Sequence, residues 1–297
     1  MTEPGRSADP AKTLAPCIIS RWAKSSSRLM RCFWACFAGA VMLVALAVPS
    51  VAATAESSGK LTATPSAGGE SLPVGVTSFS FGAFAYRPAN APGGPLPLLV
   101  LLHGSDGQPR DFLESFRPVA DKRGYQLLAL KSADWNWDIA DQVVRHMRRG
   151  QTAAYAPQFG ADVPRIDAVL HEFFATAAVD PKRIVLLGFS DGAGYALCLG
   201  LANPQLFSGV AALSPGFAKV PDRIGIGQRV FIAHGRNDRT LPFRTARGIA
   251  ESLSSSALSV RFFPFNGDHV MTREAVVEGL AFAFAEPPSG SGALPPK

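Results

Sequence analysis

Short apolar runs alternate with longer segments of helical periodicity between residues 74 and 286. Apolar runs of this length are typical of buried strands, and the longer segments repeat apolar residues three and four positions apart, as helices do. Strands that alternate with helices indicate an α/β fold, with a mostly parallel sheet covered by helices on both faces. The predicted strands are residues 77–86, 96–102, 125–130, 184–187, 210–213, 230–233 and 258–263, and the predicted helices are residues 110–123, 163–177, 192–201, 243–253 and 273–284.

The first 55 residues have the pattern of a secretory leader. A basic stretch precedes an uncharged run at residues 32–48, and the small residues Ala53-Thr54-Ala55 suit signal peptidase. We therefore expect an exported protein, periplasmic or secreted, with Met30 as an alternative start of translation. The alternative is an uncleaved run that tethers the protein to a membrane, because the run approaches the roughly 18 to 20 apolar residues that span a bilayer.

The remaining sequence predicts one folded domain between two flexible segments. Residues 56–73 and 287–297 are rich in Ser, Gly, Thr and Pro, which is typical of a linker and a tail. The domain is predicted to span residues 74–286. Its least regular part, residues 134–162, is interpreted as a lid or a wall of a substrate pocket.

Composition excludes several classes of partner and cofactor. The net charge of +6 arises mostly in the leader, which has six Lys and Arg but two Asp and Glu, so that the rest of the chain carries +2. A charge this small does not indicate a nucleic-acid partner, and a membrane is expected only transiently, through the leader. Cys17, Cys32 and Cys36 lie in the leader, so Cys198 is alone in the predicted domain. An internal disulfide and a cysteine metal site are excluded there, and we expect no cofactor.

A motif at residues 188–192 supplies a candidate nucleophile. These residues read Gly-Phe-Ser-Asp-Gly, a G-x-S-x-G motif that follows a buried strand pattern and precedes a helix rich in small residues. In this context the glycines permit a tight strand-to-helix turn that exposes the serine hydroxyl above the sheet. We predict that Ser190 is a nucleophile; the alternative is a turn serine that caps the next helix.

A nucleophilic serine needs a base and an acid that orients the base. His269 follows the last predicted strand and is the candidate base, with an ordinary loop histidine as the alternative. Asp238 follows the strand at 230–233 and is the candidate acid, with a surface salt bridge as the alternative. Asp268 competes with Asp238, but its side chain is poorly placed because it adjoins His269 in sequence. The other histidines end strands or lie in helical patterns: His103, His146, His171 and His234.

Two further groups of residues are candidates for holding a substrate. The loop after the strand at 96–102 and the residue after the nucleophile are expected to stabilise an oxyanion through the backbone N–H groups of Ser105 and Asp191. A plain strand-to-helix turn is the alternative for that loop. Trp135, Trp137 and Phe217 are candidates for an acyl or aryl pocket, and core packing is their alternative.

Together these segments resemble the bacterial α/β-hydrolase esterases of the phospholipase/carboxylesterase group, with polyhydroxybutyrate-depolymerase-like and feruloyl-esterase-like relatives. The resemblance covers roughly residues 96–284 and implies the α/β-hydrolase fold and a triad of Ser190, Asp238 and His269. It departs from the group at residues 191–193, where Asp-Gly-Ala replaces the usual Gln-Gly-Gly. The segments that carry it are residues 99–106, 188–197, 213–216, 234–238 and 267–269.

The sequence thus predicts a serine hydrolase that cleaves carboxylic esters, small or polymeric, without a metal ion. A serine peptidase of the same fold is one alternative, since the same triad cleaves amides. A non-catalytic binding protein that has retained the fold is another.

Overall fold

Eight strands form one sheet in the part of the chain that the computed structural model describes, which is residues 58–66, 72–148, 158–219, 221, 225, 227–256 and 258–285. The predicted leader and the predicted tail lie outside these residues. The strands are β1 (Gly75–Ser78), β2 (Phe84–Arg87), β3 (Leu96–Leu102), β4 (Gln126–Leu130), β5 (Val179–Phe189), β6 (Gly209–Leu213), β7 (Arg229–Gly235) and β8 (Ser259–Phe265). The helices are α1 (Pro109–Arg123), α2 (Asp138–Arg148), α3 (Asp162–Thr176), α4 (Asp191–Ala202), α5 (Phe243–Ser254) and α6 (Arg273–Ala283).

The sheet is mostly parallel and has the strand order β1-β2-β4-β3-β5-β6-β7-β8. Strands β3 to β8 run parallel to one another, whereas β1 and β2 pair antiparallel at one edge. The predicted α/β architecture is therefore confirmed. No helix among the described residues is long and apolar enough to cross a membrane.

Strand β3 shows why its continuous apolar run lies at the centre of the sheet. Its alternate side chains face opposite ways, so Leu98 and Val100 belong to the buried cluster that includes residues of α3, α4 and α5, while Leu99 and Leu101 belong to the one that includes residues of α1 and α6. All four side chains are fully buried, which stabilises the fold by roughly 1.5 to 3 kcal/mol for each. A strand covered on both faces needs apolar residues at every position, as this sequence has.

The prediction of one strand over residues 77–86 is wrong. The segment forms a hairpin of β1 and β2, and the loop between them is closed by a hydrogen bond of 2.8 Å from the Phe79 N–H to the Ala83 carbonyl. Phe81, in that loop, has a left-handed φ of 55°. Apolar and polar residues alternate in both strands of the hairpin. The loop between them is short, so the alternation continues across it in the sequence and suggests a single strand.

The prediction of a flexible linker over residues 56–73 is wrong for residues 58–66. Leu61 and Ala63 are buried, and the Leu61 N–H donates to Asn203 Oδ1 at 2.9 Å. Asp167, on α3, accepts from the N–H groups of Thr62 and Ala63 at 2.8 and 2.9 Å. The Ser, Thr and Gly content was misleading because the ordering partners lie more than 100 residues away.

Helix α2 lies inside the segment that was predicted to be least regular. Its start is fixed by a reciprocal pair of carboxylates. Asp162 Oδ2 accepts from the Asp138 N–H at 2.7 Å, and Asp138 Oδ2 accepts from the Asp162 N–H at 2.9 Å, so that each residue caps the helix of the other. Asp162 Oδ1 also accepts from the Ala133 N–H at 2.5 Å. These bonds anchor the segment that follows β4.

Burial of Asp162, and next the charge of Asp138, raise the pKa of the Asp162 carboxyl to about 6. The folded protein therefore binds this proton more tightly than the unfolded chain, so the contribution to stability is present below about pH 4 and is lost as the pH rises through about 6. We expect wild type to be more stable relative to Asp162→Asn at pH 4 than at pH 7. The difference between their free energies of unfolding should shift in favour of wild type by about 2 to 3 kcal/mol from pH 7 to pH 4. Urea unfolding of both proteins across this range measures it, and a pH-independent difference would contradict it.

Candidate active site

Four loops meet at the carboxyl edge of the sheet, where open α/β sheets bind their ligands. They follow β3, β5, β7 and β8, and they carry in turn Ser105, Ser190, Asp238 and His269. The strands are neighbours in the parallel part of the sheet, apart from β6 between β5 and β7. Side chains that are far apart in sequence are therefore brought within contact distance.

Ser190 lies on a sharp turn between β5 and α4. Its backbone has φ 56° and ψ −120°, a conformation that L-residues rarely adopt. The flanking glycines make this turn possible: a Cβ on Gly188 would lie 2.0 Å from the Gly192 carbonyl oxygen, and a Cβ on Gly192 would lie 2.3 Å from the His103 carbonyl oxygen. The turn is thus held by close backbone packing on both sides of the serine.

The hydroxyl of Ser190, the imidazole of His269 and the carboxylate of Asp238 form one hydrogen-bonded chain. His269 Nε2 lies 2.9 Å from Ser190 Oγ, and His269 Nδ1 lies 2.7 Å from Asp238 Oδ2. The Asp238 side chain is fully buried, whereas 15% of the His269 side chain is exposed. Because a carboxylate only accepts, Nδ1 carries the proton and Nε2 is left to accept from the serine hydroxyl. This arrangement can transfer a proton from the hydroxyl to the imidazole.

Three hydrogen-bond donors and one further N–H group surround the Asp238 carboxylate. Oδ1 accepts from the backbone N–H groups of Thr240 and Leu241, at 2.9 and 2.8 Å. Oδ2 faces His269 and also lies 3.1 Å from Nε2 of the buried His234. The two oxygens therefore have different surroundings, with backbone amides on one and imidazoles on the other.

Asp268, the competing acid, is directed away from the imidazole. Its carboxylate accepts from the Arg239 backbone N–H at 2.9 Å and from Arg239 Nε at 2.7 Å, and also from the backbone N–H of His269. These bonds, those from Arg239 first, lower the pKa of Asp268 to about 2. Asp268 joins the loop after β8 to the loop after β7.

The loop after β3 contacts the turn of the nucleophile directly. The Ser105 hydroxyl donates to the Asp191 carboxylate. Asp191 is the first residue of α4, so its N–H has no acceptor within the helix, and the helix N-terminus favours negative charge. The Asp106 N–H, by contrast, donates to the Trp135 carbonyl at 3.1 Å. The oxyanion-stabilising roles of the Ser105 and Asp191 N–H groups stay predictions.

Trp137 is a core residue, so the prediction that it lines a substrate pocket is wrong. Its indole is fully buried, stacks on Tyr195 with a centroid distance of 5.0 Å, and donates to the His103 carbonyl at 2.8 Å. Trp135 is 60% exposed and Phe217 is half-buried against the core and Gly194. The substrate-binding roles of Trp135 and Phe217 stay predictions.

His103 and His234 both contribute to the walls of the site, which the sequence reasoning missed. Burial lowers the pKa of His103 to about 4, and its Nδ1–H donates to the Gly104 carbonyl at 2.7 Å, which fixes the start of the Ser105 loop. The sequence does contain one signal for both residues, because each histidine ends a predicted strand and precedes a glycine. Among the described residues no cluster of three or more His, Cys, Asp or Glu side chains could hold a metal ion.

Comparison with known proteins finds similarity to esterases. Residues 150–281 match the phospholipase/carboxylesterase family. The chain is 33% identical over 103 residues to the "Probable feruloyl esterase C" of Aspergillus clavatus, covering 34% of this chain and 38% of that protein. It is 28% identical over 130 residues to the acetylxylan esterase of Coprinopsis cinerea, covering 42% of this chain and 32% of that protein. The chain thus spans well under half the length of the curated relatives it matches.

Solved structures share the fold at low sequence identity. The crystal structure of esterase PE8 superposes with a TM-score of 0.53 and 19% identity, over 70% of this chain and 98% of that one. A ferulic acid esterase from Anaeromyces mucronatus superposes with a TM-score of 0.50 and 15% identity, over 70% of this chain and 87% of that one. The chain therefore has the α/β-hydrolase fold, and its region from residue 150 to residue 281, which contains Ser190, Asp238 and His269, is similar to the phospholipase/carboxylesterase family.

Proposed function

We propose that this protein is a serine carboxylic-ester hydrolase that acts through an acyl-enzyme intermediate. The observation that carries the proposal is the continuous hydrogen-bonded chain from Ser190 Oγ through His269 to Asp238, with distances of 2.9 and 2.7 Å. A buried carboxylate that orients an imidazole toward a serine hydroxyl is the arrangement that activates serine as a nucleophile.

In the first half of the reaction Ser190 Oγ attacks the ester carbonyl carbon while its proton moves to His269 Nε2. The carbonyl oxygen becomes an oxyanion, which the backbone N–H groups of Ser105 and Asp191 stabilise. Each such donor typically lowers the barrier by about 3 kcal/mol. The tetrahedral intermediate then collapses: the bond to the alcohol oxygen breaks, the alcohol takes the proton from His269, and the acyl group stays on Ser190.

In the second half water replaces the alcohol. His269 Nε2 removes a proton from the water, the resulting hydroxide attacks the acyl carbon, and the carboxylic acid leaves as Ser190 regains its proton. Asp238 keeps the proton of the ring on Nδ1 in both halves, so that Nε2 is free to accept. The water supplies the only atoms added, and no cofactor takes part in the proposed reaction.

An ester is preferred to an amide because the relatives with which the chain shares sequence are named as esterases. We extend the proposal to small or polymeric esters, since those names refer to feruloyl and acetylxylan esters. The exposed Trp135, whose carbonyl accepts from the N–H of Asp106 in the loop after β3, offers an aromatic surface beside the site. Flat aryl groups stack on such a surface.

The proposal is tested with purified protein, p-nitrophenyl acetate and butyrate, feruloyl and acetylxylan esters, and matched peptide amides. Ester turnover, together with fluorophosphonate labelling of Ser190, is the expected result. Peptide turnover that exceeded ester turnover would favour a peptidase of the same fold. Absence of both labelling and turnover would indicate a binding protein.

We further propose that the protein is exported, on the strength of the leader pattern in residues 1–55. N-terminal sequencing of the protein recovered outside the cytoplasm is the test. A chain that begins after Ala55 is expected, and an intact leader on a membrane-bound protein would instead support the tethered alternative.

A further inference from the structure

We propose that His234 is a positioning residue for the reaction, which acts by holding the Leu241 carbonyl with its Nε2–H and by placing that N–H against the carboxylate of Asp238. This inference rests on the proposed function, because it assigns a role within the same site. His234 is not part of the hydrogen-bonded chain from Ser190 through His269 to Asp238. His234 lies near the end of β7, four residues before Asp238, and its side chain is fully buried.

The proton position on His234 follows from what faces the ring. Nε2 lies 2.9 Å from the Leu241 carbonyl oxygen and 3.1 Å from Asp238 Oδ2. Both oxygens only accept, so Nε2 must carry a proton. Nδ1 is buried without a hydrogen-bond partner among the described residues, so a second proton there would be a buried donor with no acceptor. The ring therefore donates from Nε2 to the Leu241 carbonyl, and the same N–H faces Asp238 Oδ2 at an N···O distance of 3.1 Å.

The Nε2–H of His234 completes a closed set of contacts around the Asp238 carboxylate. His234 holds the Leu241 carbonyl, and the Leu241 N–H in turn holds Asp238 Oδ1 at 2.8 Å. Oδ1 is thereby fixed on the backbone, and Oδ2 is fixed between His234 and His269. A carboxylate that cannot rotate keeps the imidazole of His269 aligned with Ser190. His234 thus acts on the nucleophile through two other residues and touches no substrate atom.

The test compares side chains that keep or lose this donor. His234→Leu removes it but keeps an apolar side chain against Phe243, which packs on the ring at a centroid distance of 6.1 Å. His234→Gln places an amide N–H near the position of Nε2 and should restore the contact. We expect kcat to fall about 10-fold to 100-fold in His234→Leu with KM unchanged, the range seen for partners that orient metal-ligating side chains, and to recover within a few-fold in His234→Gln.

Should His234→Leu not fold, His234→Asn replaces it, because its shorter amide reaches only the Nδ1 position and not the position of Nε2, which faces Leu241 and Asp238. Proton NMR supplies a readout that loss of packing alone would not change: the downfield resonance of the His269 Nδ1–H should move when the N–H that faces Oδ2 is removed. His171→Leu, on the exposed side of α3, is the matched control. An unchanged resonance, or equal kcat in the Gln variant and the variant without the donor, would overturn the inference.

The rate of fluorophosphonate labelling separates this inference from the proposed function, because labelling reports the reactivity of Ser190 and does not depend on which ester is the substrate. Wild type that is not labelled would refute the proposed function. Wild type that is labelled, with His234→Leu labelled at the same rate, would refute the role of His234 alone. Slower labelling of His234→Leu, restored in His234→Gln, supports both.

Discussion

Replacement of Ser190 by alanine is expected to lower kcat for ester hydrolysis about a million-fold. The variant loses the atom that forms the acyl intermediate, and His269 loses its hydrogen-bond partner at 2.9 Å. What remains is direct attack by water, assisted only by substrate binding and by the oxyanion-stabilising N–H groups. Alanine keeps the Cβ of serine, so the packing of the turn between Gly188 and Gly192 is retained and the melting temperature should stay close to that of wild type.

Single-turnover and steady-state assays on p-nitrophenyl esters measure this loss, with mass spectrometry of the fluorophosphonate adduct as a second readout. Ser115→Ala is the matched control, since it removes an exposed hydroxyl on α1 that donates to the Phe112 carbonyl and not to a residue of the site. It should keep wild-type turnover. If Ser190→Ala kept a tenth of the wild-type rate, Ser190 could not be the nucleophile.

The parts of the fold that the sequence predicted well are those with a local cause. The strands β3 and β5 to β7 contain apolar runs that are buried on both faces, and such runs can be identified without knowing their partners. The meeting of the loops after β5, β7 and β8 follows from the same reasoning, because parallel strands end at one edge. Ser190, Asp238 and His269 could therefore be selected together.

The parts that were missed depend on contacts between distant segments. Trp137 is buried because its indole N–H has an acceptor in the His103 carbonyl and its ring has a neighbour in Tyr195, and neither partner is near it in sequence. Residues 58–66 are ordered by Asp167 and Asn203. A polar or Gly-rich composition says how a segment behaves alone, and it does not say which surface the segment meets.

Replacement of Asp238 by asparagine is expected to lower kcat about ten-thousand-fold while the fold persists. The reason lies in the N–H groups around the carboxylate. The N–H groups of Thr240 and Leu241 require an acceptor at 2.9 and 2.8 Å, so the amide oxygen of asparagine must take the place of Oδ1. The amide NH2 then takes the place of Oδ2, where it faces the ring of His269.

An NH2 group in that position moves the proton of the His269 imidazole from Nδ1 to Nε2. It donates to His269 Nδ1, which must then be unprotonated, so the ring carries its proton on Nε2 and directs it at Ser190 Oγ. A nitrogen that already holds a proton cannot accept one from the hydroxyl, and the serine is not activated. The opposite orientation of the amide would set its NH2 against the two backbone N–H groups of Thr240 and Leu241. The first orientation sets it against the single N–H of His234, so the first orientation is favoured.

Asp268→Asn is the charge-matched control, because it removes a neighbouring carboxylate that contacts Arg239 and not the imidazole ring. Its effect on kcat is expected to stay within about tenfold, since an exposed ion pair contributes little. NMR of the His269 ring in the two variants distinguishes the tautomers directly, with a proton on Nδ1 in Asp268→Asn and on Nε2 in Asp238→Asn. Equal losses of activity in the two variants would mean that the charge near the site, and not the orientation of one proton, determines the rate.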